Sequence, residues 1–398
     1  MSTAHQPRWW TPTILAILNA QFVAALADNA LLIIAIALLE ARFAPDWFTP
    51  ALRVGFYAAY VLLAPLAGRW ADAWSKGLLM SLVNALKLSG VIALAFGAHP
   101  LIVFAAIGCG AAAYAPARYG MLPELTAGRA LVQANAAMEI VTIAAILGGF
   151  ALGSWLVSSV TTASACAILG LLYATGVAST LGFKRSGPAA SKDSGFRAAA
   201  GVLLRDPSAR QALTLTSIFW SAAAVLQFLM IDWARRTLGL SLAQAAFLPA
   251  VFAIGMVAGA VVAGTSQALA RMLRPHVCGI ALGGGILLMP LATSLWAACV
   301  LLACTGLLAG GLLVPMNATL QQRGASLMLP GISVAVQNFF ENGLSILFLA
   351  AYGAALAAGA TLGATIYGLG LAVIVLVGAT RIKGRGPVVE PQREEHRC

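Results

Sequence analysis

Long apolar runs separated by short polar breaks fill the chain from Ile14 to about residue 380. A stretch of ~20 apolar residues crosses one bilayer core. On that measure the runs predict twelve helices, at about 13–39, 51–71, 78–97, 100–122, 132–158, 161–182, 211–233, 243–266, 276–291, 295–320, 329–355 and 361–380. Gly97-Ala98-His99-Pro100 divides the third from the fourth, Trp296 marks a weak break after the ninth, and the ninth is short. Alternating segments of ~10 residues, which a membrane barrel needs, are not seen. The pattern therefore predicts an all-α membrane protein with twelve transmembrane helices.

Two polar stretches interrupt this pattern. Residues 183–210 read as a basic cytoplasmic linker, and 381–398 as a charged cytoplasmic tail. They divide the chain into an N-terminal six-helix bundle (1–182) and a C-terminal one (211–380). The opening MSTAHQPRWWTPT lacks a signal-peptide layout, so the run from Ile14 is read as the first span.

Composition narrows the class. Of 398 residues, 61% are hydrophobic and 9% charged, and the mean hydropathy is +0.90. Soluble domains carry about 25% charged residues, so a water-soluble enzyme is excluded. A nucleic-acid partner is excluded too, despite the net charge of +11. With both termini cytoplasmic, that side collects most Lys and Arg, including Arg69, Lys76, Arg118, Arg129, Arg323, the linker and the tail. The opposite side holds Arg42, Arg53, Arg235 and Arg236. This asymmetry is the positive-inside signal, and it accounts for the basic charge as topogenic. The cysteines form no CxxC pair and the histidines (His5, His99, His276, His396) share no ligand spacing, so no metal or cofactor is expected.

The halves carry traces of a repeat. Pro116 in the fourth span and Pro315 in the tenth lie 199 residues apart, and the same offset takes Asp28 to Gln227. Asn135 and Glu139 match Gln337 and Glu341 at an offset of 202. Each of those pairs is a carboxamide and a glutamate at i and i+4, hence on one helix face. Two parallel six-helix repeats resemble the plan of the major facilitator transporters.

Charged groups inside a span cost ~2.5–3.5 kcal/mol on insertion scales and face cavities or one another. Here they are few: Asp28 beside Asn29, Lys87 one turn after Asn84, Glu139, Asp232, and Glu341 with Gln337, Asn338 and Asn342. Asp28 reads either as an anchor for a ligand head group or as a partner for Lys87. Glu139 reads as a gate near the cytoplasm, and Asp232, followed by Trp233 and two arginines, as an interfacial salt bridge. The loop Gly68-Arg69-Trp-Ala-Asp72-Ala-Trp-Ser-Lys76-Gly77 keeps the spacing of the major facilitator loop motif, with Ala73 at its basic position. Its Asp72 would sit near a helix N-terminus and hold one closed state. Gly149, Gly153, Gly255 and Gly259 suit close helix packing, and Pro65, Pro116 and Pro315 suit kinks.

The runs AQFVAALADNALLIIAIALLEARFAPDW, LAPLAGRWADAWSKG, NALKLSG, GAAAYAPARYGMLPEL and ANAAMEIVTIAAILGG, with SIFWSAAAVLQFL, LVPMNATLQQRG and VAVQNFFEN, resemble the bacterial lysophospholipid transporter family of the major facilitator superfamily. The resemblance covers most of residues 14–355. It implies a non-enzymatic flippase that moves lysophosphatidylethanolamine and related lysolipids from the outer to the inner leaflet of the bacterial inner membrane. A separate cytoplasmic-side acyltransferase/acyl-carrier-protein synthetase is then the implied partner, besides membrane lipids. No histidine here begins an H-x-x-x-x-D acyltransferase motif. Relatives can carry a basic residue where this chain has Gln227.

On this reading Asp28, Asn29, Asn84, Lys87, Gln227, Gln337 and Asn338 bind substrate. Gly68, Asp72, Arg118, Glu124, Glu139 and Glu341 act in gating. The competing reading is a drug or solute:proton antiporter of the same fold, with Asp28 or Glu139 as proton carrier. A membrane-embedded acyltransferase lacks its His/Asp pair, and a non-transporting scaffold for the acyltransferase would bind lipid without flux.

Overall fold

The computed structural model describes residues 10–43, 48–181, 183, 195–245, 247–265 and 274–380. The expected tail 381–398 lies outside them, as do Arg8, Arg271 and the linker cations Lys184, Arg185 and Lys192.

Helices begin where the sequence supplies start signals. Thr11 caps α1 (Pro12–Ala41) by accepting from the Ile14 amide, with proline at the first helical position. After α2 (Phe48–Ala73) and α3 (Lys76–Ala95), His99 and Pro100 start α4 (Pro100–Leu125) in the same way. Next come α5 (Gly128–Ser159) and α6 (Thr162–Leu181). Inside the expected linker, Phe196–Arg205 forms a ten-residue amphipathic helix, α7, which buries Ala199 and Leu203. Its Phe196 ring meets Phe339 edge-on at 5.5 Å. Asp206 then caps α8 (Pro207–Thr237) through the Ala209 amide at 2.8 Å, and its carboxylate pairs with Arg323 at 3.3 Å.

The eighth predicted span resolves into α9 (Leu242–Ala245) and α10 (Leu248–Thr265). The short ninth is α11 (Pro275–Leu288), extended by the 3-10 turn Met289–Leu291. The chain continues through α12 (Leu295–Leu327), α13 (Pro330–Ala357) and α14 (Leu362–Ala379). Among the described residues ten helices are long and apolar enough to cross a membrane. The run Pro275–Leu291 is apolar but shorter.

Helices α1–α6 pack as one group, chiefly α1 on α5, α2 on α4 and α3 on α6. Helices α8–α14 form the other, chiefly α10 on α12, α8 on α13 and α11 on α14. The α10–α12 seam is built from glycine. A Cβ at Gly255, Gly259, Gly306 or Gly310 would collide with backbone carbonyls of the facing helix, at Ala303, Leu307, Phe252 and Met256 respectively. The helix axes approach this closely only because those side chains are missing. In the first group Gly149 and Gly153 press likewise against Leu26 and Ala30 of α1.

The apolar cores of the two groups differ. The second has one continuous cluster, from Leu213 on α8 to Val377 on α14. The first has two, one around Ile14, Met80 and Leu122, the other around Leu31, Val91 and Leu156. Asp28 and Lys87 fall where those two clusters meet.

Candidate functional site

A cavity of about 340 Å³ lies between the two groups. It runs from Arg53 and Phe104, near the starts of α2 and α4, to Glu139 and Gln321, deep between α5 and α12. Its upper wall is aromatic. Phe56 packs on Tyr60 at 5.5 Å and on Phe104 at 5.7 Å, with Tyr57 beside it.

On the first group's side, α1 places Asp28 and Asn29 in the wall. Lys87 Nζ, from α3, donates to both Asp28 oxygens, at 2.9 and 2.6 Å. Tyr173, from α6, donates its hydroxyl to the same carboxylate at 2.7 Å. Lys87 is only 1% exposed, and its ammonium also faces the rings of Tyr114 and Tyr173. A buried pair held by three helices is stable only while both members remain, because a single buried charge costs several kcal/mol. The Asn29 amide turns back on its own helix, donating to the Ala25 carbonyl at 2.8 Å.

Arg118 corrects the charge reading, which groups it with the cytoplasmic cations. It lies within α4, 9% exposed, and lines the cavity. Its guanidinium stacks on Tyr119 at 4.2 Å, its Nε has no hydrogen-bond partner, and the ion pairs among the described residues do not include it.

Amides and glutamates supply the cavity's floor. Asn317 of α12 donates to Glu139 at 3.2 Å. Gln337 of α13 donates to Asn317 at 2.9 Å and to Glu341 at 2.8 Å. This chain joins the two glutamates of the repeat across the boundary between the groups. Just below it, Asn135 and Gln321 exchange two hydrogen bonds of 2.9 Å, fully buried, between α5 and α12.

Further contacts between the groups lie toward the same end. Asp72 accepts from the Gly331 and Ile332 amides at 2.8 Å each, so its charge caps the α13 N-terminus. Gly68 presses against Ile332 and Ala335, where a Cβ would not fit. Arg129 donates across the boundary to the Thr265 carbonyl at 2.6 Å, and within the first group Lys76 pairs with Glu124. The end carrying these cations is closed by the contacts between the groups, and the cavity's lining extends toward the other end, as far as Arg53 and Phe104.

The expected site residues thus separate. Asp28, Asn29, Lys87, Gln337 and Asn338 line the cavity together, and so do Arg118, Glu139 and Glu341. Gly68, Asp72 and Glu124 lie in the closed end. Asn84 is fully buried against Gly176 of α6, away from the cavity lining. Gln227 is also outside the lining and donates to the Ala224 carbonyl of its own helix at 3.3 Å. The cavity adds residues not expected from sequence: Tyr60, Tyr119, Trp220, Asn317 and Gln321. Asn317 alone had a sequence signal, since it stands at the repeat offset of 199 from Arg118.

The family model for the Major Facilitator Superfamily matches residues 17–349. The chain is 40% identical over 358 residues to a lysophospholipid transporter LplT of Enterobacter sp. (strain 638), covering 88% of this chain and 90% of that protein. To its namesake in Serratia proteamaculans (strain 568) it is 39% identical over 349 residues, covering 85% and 87%. Among solved structures it resembles an outward-facing bacterial homologue of the iron transporter ferroportin, with TM-score 0.74 and 13% identity over 93% of this chain and 98% of that one. It likewise resembles the outward conformation of the transporter FucP, with TM-score 0.70 and 14% identity over 94% and 100%. At such identities these last two speak for the fold alone.

Proposed function

The chain belongs to the lysophospholipid transporters of the Major Facilitator Superfamily, and from that premise we propose that it flips lysolipids, lysophosphatidylethanolamine among them, from the outer to the inner leaflet of a bacterial inner membrane. Both termini and the closed, cation-rich end face the cytoplasm, so the cavity opens toward the outer leaflet. The positive-inside asymmetry supports that orientation.

A lysolipid joins a charged head to one acyl chain. The head needs polar partners inside the bilayer, whereas the chain is at home against Leu32, Phe56 and Phe104 and the lipid beyond. The observation that carries the reading is Arg118: a nine-tenths-buried guanidinium facing a cavity, with Nε unpartnered. Its planar fork of donors matches a phosphate, and a charge-assisted pair in a water-poor site is strong. Asp28, oriented by Lys87 and Tyr173, adds a second polar point on the first group's side of the cavity. Movement to the other leaflet then requires breaking the closed end, that is, the Asp72 cap on α13 and the Asn135–Gln321 amide pair. An acyltransferase on the cytoplasmic side restores the missing chain to the product.

Purified protein in vesicles, supplied with labelled lysophosphatidylethanolamine and read leaflet by leaflet, tests this. Arg118→Ala loses about 2–5 kcal/mol of a buried charge contact, so flipping falls by about thirtyfold or more. Arg118→Lys keeps part of the rate. Wild-type flux in Arg118→Ala removes the phosphate site, and no flux from the unaltered protein removes the function.

A further inference from the structure

Six charged side chains line the cavity; Arg53 stands apart from the other five at the far end, and those five do not balance locally. Asp28 is matched by Lys87. Glu139 has the Arg118 guanidinium within electrostatic reach and accepts from Asn317. Glu341 is different. It is 7% exposed, lines the cavity, and takes part in none of the ion pairs among the described residues. It accepts from the Gln337 amide at 2.8 Å and has the Thr216 hydroxyl beside it. The charged neighbour it feels most is another carboxylate, Glu139. Beside it on α13, the Asn338 amide nitrogen is buried without a partner and also lines the cavity.

A buried carboxylate without a cation is expensive, and two such groups near each other more so. The missing cation is therefore expected from whatever enters the cavity. Arg118 is its counterpart: a buried cation that acts on Glu139 without pairing with it and takes part in none of the ion pairs among the described residues, on the opposite group of helices. A ligand that satisfies both must carry an anion and a cation on one short head. Phosphoethanolamine does, with two carbons between its phosphate and its ammonium.

We propose that Glu341 is the ammonium receptor of the headgroup site and the residue that favours zwitterionic over anionic lysolipids. The proposal rests on the flippase reading and on Arg118 as its phosphate site. The bound head bridges Arg118 on α4 and Glu341 on α13, so it draws the two helix groups together only when both ends are filled. A phosphoglycerol head reaches Arg118 alone and gains nothing from Glu341.

The test compares lysophosphatidylethanolamine with lysophosphatidylglycerol in vesicles of the full chain, each alone and in competition. Glu341→Gln keeps the side chain's shape and removes its charge. The expected result is a KM about tenfold higher for the ethanolamine lipid, the worth of one charge-assisted contact, with the glycerol lipid changed less than about twofold. Glu341→Asp retains the preference in reduced form. Equal loss for both lipids assigns Glu341 a structural role and overturns the proposal. No change for either lipid overturns it as well, since the charge of Glu341 would then contribute nothing to holding either headgroup. If the unaltered protein moves neither lipid, the flippase reading fails and takes this subsite with it. Ethanolamine-lipid movement without discrimination by Glu341→Gln removes only the subsite.

Discussion

Helices α1–α6 and helices α8–α14 solve the polar interior differently. In the first group a charge pair, Asp28–Lys87, is set in the middle of the packed helices and divides the apolar core in two. In the second group the core is continuous, and Asn317, Gln321, Gln337, Asn338 and Glu341 lie on the cavity wall. Two repeat positions follow the same split: Arg118 is matched by Asn317 and Asp28 by Gln227, a charge by an amide, whereas Glu139 is matched by Glu341. The first group thus depends on electrostatic pairing for its integrity, the second on close packing.

The largest effect comes from breaking the pair. Lys87→Ala strands the Asp28 carboxylate and costs about 3–5 kcal/mol, read as a lowered thermal midpoint in detergent together with lost transport. Replacing both, Asp28→Leu with Lys87→Met, recovers most of that stability, because apolar substitutes for a buried pair are near neutral. Transport stays lost in the double variant. If it returned, the pair would be structural only. In the second group the corresponding weak point is packing. Gly259→Val forces α10 away from the Leu307 carbonyl of α12 and costs about 1–3 kcal/mol, seen as a smaller fall in the same midpoint.

Between the groups, Asp72→Asn removes the charge that caps α13. The loss is about 0.3–1 kcal/mol, and it shifts the protein toward the state open at the cation-rich end. Thiol-labelling rates in Ala318→Cys, a position buried against the first group, would report the shift as faster modification. Gln227→Ala is the smallest change. Since Gln227 lies outside the cavity lining, stability moves by less than about 0.5 kcal/mol and flipping is unchanged. A marked loss of flipping there would bring the repeat partner of Asp28 into the site after all.

Much of this fold was legible because a bilayer imposes length and apolarity on its crossings, a measure that ten of the described helices meet and α2 does not. The short ninth span and the break at Gly97–Pro100 appear where the hydropathy places them. What escaped detection was helix α7. At ten residues, with an apolar face made largely of alanine, it does not stand out within a basic stretch. For the site, Asp28 and Lys87 were visible as charges among apolar neighbours. Asn84 and Gln227 were equally conspicuous, yet one packs on Gly176 and the other turns to its own backbone. Whether a polar residue faces a cavity depends on the rotation of its helix against its neighbours, which one sequence does not encode locally. Aromatics such as Tyr60 and Trp220 escape for the same reason, since in an apolar helix they look like packing. Arg118 lies near the end of its predicted span, where a cation reads as a topology signal, so its place on the cavity wall is hidden in the sequence.

Helix α7 also bears on how the two groups are tied together. Phe196 is seated on Phe339, Leu203 is buried, and Asp206 is joined to Arg323. The last part of the connection therefore travels with α8–α14, and the covalent tether between the rocking bodies ends before Gly195 rather than at α8. Two separately synthesised polypeptides, divided upstream of Gly195, should still assemble into a working transporter, whereas a division after Asp206 would strip the second piece of its own bracing helix.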